Sequence, residues 1–70
     1  MGLMFILIWE DRHNQILTRY TFDKEKAKRA VEALDKKVDD GDVYWFRSLT
    51  VHGQAIYVDE SSILQEEDFE

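Results

Sequence analysis

Seventy residues make one domain, and a chain this short buries only about 60% of the surface its unfolded form exposes, so its core is thin. There is no cysteine, which excludes disulfides and the thiolate zinc sites, fits a reducing compartment and leaves oligomerisation as the available staple. The formal charge of −6 is uneven: residues 1–58 carry nine basic and nine acidic side chains, and residues 59–70 carry six acids and no base. The chain therefore divides into a neutral compact domain over 1–58 and an acidic segment over 59–70.

Leu3 to Trp9 is an unbroken apolar run. It is too short for a buried helix and is followed by polar turn residues, so it reads as a strand covered on both faces. It lacks the basic flank and cleavage site of a signal peptide. A bilayer span needs about 20 apolar residues, so no membrane role is expected and the expected location is cytoplasmic.

Gln15 to Thr21 alternates, with Ile16, Thr18 and Tyr20 on one side and Leu17 and Arg19 on the other. This predicts a second strand, antiparallel to the first. Asp23 is placed to cap a helix, with Phe22 as a staple onto Ala27. Ala27, Ala30, Val31, Leu34 and Val38 form one apolar helical stripe, opposite Glu25, Arg29, Glu32 and Lys36. Asp39-Asp40-Gly41-Asp42 ends the helix, with Gly41 free to take a positive φ. That run lacks the acid spacing of a calcium loop.

Val43 to Val51 predicts a third strand, with Val43, Trp45, Arg47, Leu49 and Val51 on one face and Tyr44, Phe46, Ser48 and Thr50 on the other. His52-Gly53 reads as a tight turn, and Gln54 to Val58 as a fourth strand. The expected fold is α+β in the order β-β-α-β-β: a four-stranded antiparallel sheet, one helix on one face, and an acidic C-terminal tail. In that tail Ser62 would cap a short helix from Ile63, with Gln65 at its third position.

One helix covers only one face of a sheet, and the first strand is apolar on both. The leftover set requires a second copy, the tail or another protein. The expected partner-binding residues are the aromatics Trp9, Tyr44, Trp45 and Phe46, together with Ile63, Leu64, Glu66, Glu67, Asp68 and Phe69 of the tail. The tail reads either as a lid on the sheet or as a handle for a protein with a basic, partly apolar surface.

Catalysis has little support. His13 and His52 fall in predicted turns, and no nucleophile has a triad context. Phosphate-binding loops are absent, and no cofactor or metal is expected. The helix bases are interleaved with acids, which disfavours nucleic acid. The function expected is therefore a protein-interaction module, homodimeric, accessory or inhibitory, of a kind that suits a phage or mobile element. The alternatives are a nucleic-acid-binding domain using the helix bases and the Tyr44 to Phe46 aromatics, or a nucleic-acid mimic acting through the tail.

Overall fold

The structure is a computed structural model that describes residues 2–53 and 59–70. Among the described residues three strands form one antiparallel sheet: β1 (Gly2–Asp11), β2 (Ile16–Thr21) and β3 (Val43–Gly53), in the order β2-β1-β3. The helix α1 (Lys24–Asp40) lies between β2 and β3 in sequence and packs on one face of the sheet. The expected fourth strand, Gln54 to Val58, lies outside the described residues. His52 and Gly53 do not make a turn; they remain in β3, paired with Leu3 and Gly2.

The apolar run becomes the central strand because only that position covers it at both edges. Ile6 pairs with Tyr20 on one side and Leu49 on the other. The β1–β2 turn is built by Asp11. Its carboxylate accepts the backbone N–H of His13 at 2.8 Å and of Gln15 at 3.0 Å. Asn14 takes φ 63°, a left-handed conformation that asparagine tolerates.

The helix follows its sequence signals at both ends. Asp23 accepts from the amides of Glu25 and Lys26 at 3.0 and 3.2 Å. Gly41 takes φ 83°, the Asp42 N–H donates to the Lys37 carbonyl at 2.9 Å, and the Gly41 N–H donates to Val38 at 3.1 Å. This double closure satisfies the last carbonyls. Phe22, expected as a staple, is instead 58% exposed. Replacing Asp23 with Ala leaves two first-turn amides without their acceptor. The expected cost is about 1 kcal/mol in a urea melt; a change below about 0.3 kcal/mol would mean the cap is redundant.

One irregularity resets the third strand. Glu10 pairs with Trp45, but Asp11 pairs with Val43, so Tyr44 is an extra residue on β3. A bulge of this kind breaks the period of two. Val43 therefore does not share a face with Trp45, as simple alternation predicts. It is buried in the core beneath the helix, and Phe46 packs against the same cluster.

That core comprises Leu7 and Trp9 of β1, Ala30 and Leu34 of α1, Val43 of β3, and two residues of the tail, Leu64 and Phe69. The tail is therefore an integral part of the packing. It contains two 3-10 turns, Glu60–Ser62 and Glu66–Asp68, separated by an extended stretch. The helix expected from Ser62 does not form. Ile63 instead bridges Tyr20 in parallel, and the Leu64 N–H donates to the Tyr20 carbonyl at 2.7 Å. Edge pairing and burial of Leu64 outweigh a helix whose C-terminal end would be crowded with carboxylates.

Candidate functional site

The sheet has two faces with different fates. Leu7 and Trp9 of β1 enter the core under α1. The opposite face carries Ile6, Ile8 and Glu10 of β1, Ile16, Thr18 and Tyr20 of β2, and Trp45, Arg47 and Leu49 of β3, as the cross-strand pairs require. Among the described residues no helix or strand packs on this face. Ile16, Leu49 and Trp45 are 64%, 47% and 39% exposed, while Ile6 and Ile8 between them are half-buried. Met4, at one end of the face, is buried. The Trp45 indole N–H donates to Glu10 Oε1 at 2.8 Å, holding the ring over the pleat.

The expected partner-binding residues separate into three groups. Trp9, Leu64 and Phe69 are in the core and unavailable as contacts while the tail is docked. Phe46 is partly buried against the same core, and Asp68 is partly buried in its pair with Arg19. Tyr44, Trp45, Ile63, Glu66 and Glu67 are exposed. Tyr44 lies at the bulge, and its hydroxyl donates to the Arg12 carbonyl at 3.3 Å. Trp45 belongs to the open sheet face, and Ile63, bridged to Tyr20, borders that face at the β2 edge.

Two of the tail acids have cationic partners within the chain among the described residues. Asp68 pairs with Arg19 at 3.3 Å, with both side chains about four-fifths buried. Glu66 pairs with Arg29 on the helix, and the Lys37 ammonium donates to the Glu70 carbonyl at 3.0 Å. The acidic segment thus complements the basic flank of its own helix and the one cation on the core side of β2. It lies beside β2 and under α1, so it is not a lid on the open face. Two of its six acids, Asp68 and Glu66, are thus ion-paired within the chain among the described residues.

The signal for this docking was present in the alternation of β2. Arg19 pairs with Leu7 and so falls on the core side. An inward cation requires a nearby anion, and no acid on β1 occupies that side next to it. Alternation alone puts Arg19 on the same side as Leu17.

His13 and His52 are both exposed. His13 follows β1 and His52 pairs with Leu3 at its start, so the two lie at opposite ends of the sheet, about 27 Å apart at strand rise. Asp11 is engaged by backbone amides rather than by the His13 ring. Among the described residues no three His, Asp or Glu side chains gather as metal ligands, and no helix is long and apolar enough to cross a membrane. No protein-family model, curated protein or solved structure matches this chain.

Proposed function

We propose that this protein is a small accessory interaction module that works through the open face of its sheet, with a second copy of itself as the partner. The observation that carries this reading is the contiguous set Ile6, Ile8, Ile16, Tyr20, Trp45 and Leu49 on a face that no described element covers. Aromatic and aliphatic anchors grouped in this way characterise the centre of an interface.

Charge supports a second copy over an unrelated partner. The face holds one acid, Glu10, and one base, Arg47, on adjacent strands. A two-fold axis brings Arg47 of one copy toward Glu10 of the other, so the surface is complementary to itself. Area sets the strength. Three strands about 4.8 Å apart and about 27 Å long offer roughly 400 Å² per copy. The total of about 800 Å² lies below the standard interface size and falls in the range of weak, transient association.

Sedimentation equilibrium over a concentration series tests the proposal. The expected result is a monomer–dimer equilibrium in the micromolar range. A strict monomer up to about 1 mM would overturn it.

A further inference from the structure

We propose that the flank of α1 facing β3 is a docking groove for an extended acidic segment of a partner protein that carries one bulky apolar side chain. The groove has a volume of about 260 Å³. Phe5, Ala27 and Val31 form its apolar lining, Ser48 and Thr50 of β3 form one wall, and Lys24 and Lys28 stand at its rim. It lies on the helix side of the sheet and is independent of the open face.

The chain itself displays the recognition chemistry on the other flank of the same helix. There the tail inserts Leu64 and Phe69 beside α1 and sets Glu66 on Arg29. Among the described residues, the β3 flank repeats the host features without a guest. Lys24, Lys28 and Val31 follow the spacing i, i+4, i+7 and so share one side of the helix. Neither lysine has a carboxylate within 4.0 Å among the described residues. The nearest acids of the helix on that side, Glu32 and Asp35, are not part of the lining. Two unpaired cations above an apolar trough are complementary to a segment with carboxylates around a phenylalanine or leucine. The groove is too small and too open for a whole drug-sized ligand, which needs about 300–1,000 Å³ of enclosing cleft, and it suits one or two side chains of a peptide.

The probe is a capped synthetic peptide of sequence EEDFE, titrated into the full chain and followed by amide shifts. The expected result is saturating shifts at Phe5, Val31 and Ser48 with a dissociation constant of about 0.1–1 mM. Lys24→Glu with Lys28→Glu weakens binding about tenfold, because each exposed pair is worth at most roughly a fivefold change and reversal adds repulsion. Replacing the peptide phenylalanine with alanine weakens it comparably. Should the reversal variant lose its dispersed spectrum, Lys24→Gln with Lys28→Gln carries the same test, with a smaller weakening expected. Absence of shifts up to about 5 mM peptide overturns the proposal. So do shifts confined to Arg19, Arg29 and Leu64, which would mean that the peptide only displaces the tail. Saturation of the groove amides by octanoate, with the peptide silent, also overturns it in favour of a small amphipathic acid.

Discussion

Removal of residues 59–70 is expected to unfold the domain at 25 °C. A chain of this size has a total stability of about 4–10 kcal/mol. The deletion takes Leu64 and Phe69 out of the core, at about 1.5–3 kcal/mol each for lost burial alone. It also uncovers Leu7, Leu34 and Trp9, and it strips Arg19 of Asp68 on the core side of β2. An inward cation without its partner adds a further cost. Leu64→Ala alone should remove about 2–5 kcal/mol, since the side chain is fully buried and the site is bounded by a sheet and a helix that cannot collapse onto it. Glu67→Gln, at an exposed position with no ion pair among the described residues, should stay within about 0.5 kcal/mol. Urea melts followed by circular dichroism read all three. A truncated chain that melts cooperatively at the parent midpoint would show that the tail is not part of the core.

Leu49→Glu is expected to raise the dimer dissociation constant by at least about 100-fold, because it buries an unpaired carboxylate at the centre of the proposed interface. Trp45→Ala should weaken association by roughly 30-fold or more, as truncation of a central aromatic does. The unfolding midpoint of the diluted monomer should change little for Leu49→Glu, since that side chain is about half exposed and lies outside the core cluster. Sedimentation of the variants separates the two outcomes. Dimerisation that survives Leu49→Glu would move the interface elsewhere on the molecule. The Lys24→Glu and Lys28→Glu substitutions serve as a control, because they lie on the other side of the sheet and should leave the dimer intact.

The legible parts of the fold were those set by short-range physics. Asp23 and Gly41 mark the helix ends because capping depends on atoms within a few residues. The antiparallel pairing of β1 with β2 followed from alternation and a short polar turn. The inward positions of α1 were read from their spacing, and Ala27, Ala30 and Leu34 are buried.

What escaped local reading was set by contacts distant in sequence. The bulge at Tyr44 depends on how β3 meets the end of β1, and it moved Val43 into the core against the alternation. The short helix read from Ser62 gave way to an extended stretch because Tyr20, some forty residues earlier, offers a free strand edge.

The acidic segment shows the division most clearly. Its charge, its apolar residues and the neutrality of the rest of the chain follow from the sequence alone. So does the surplus of apolar residues on the central strand, which one helix cannot cover. Which surface the segment covers was decided only by the tertiary structure. Arg19, Arg29 and Lys37 come together beside β2, and the opening between α1 and β2 admits Leu64 and Phe69. Charge attraction and burial act through space, and the space is defined only once the sheet and helix have packed. The tail therefore completes the core on the helix side, and the opposite face of the sheet stays uncovered by any described helix or strand.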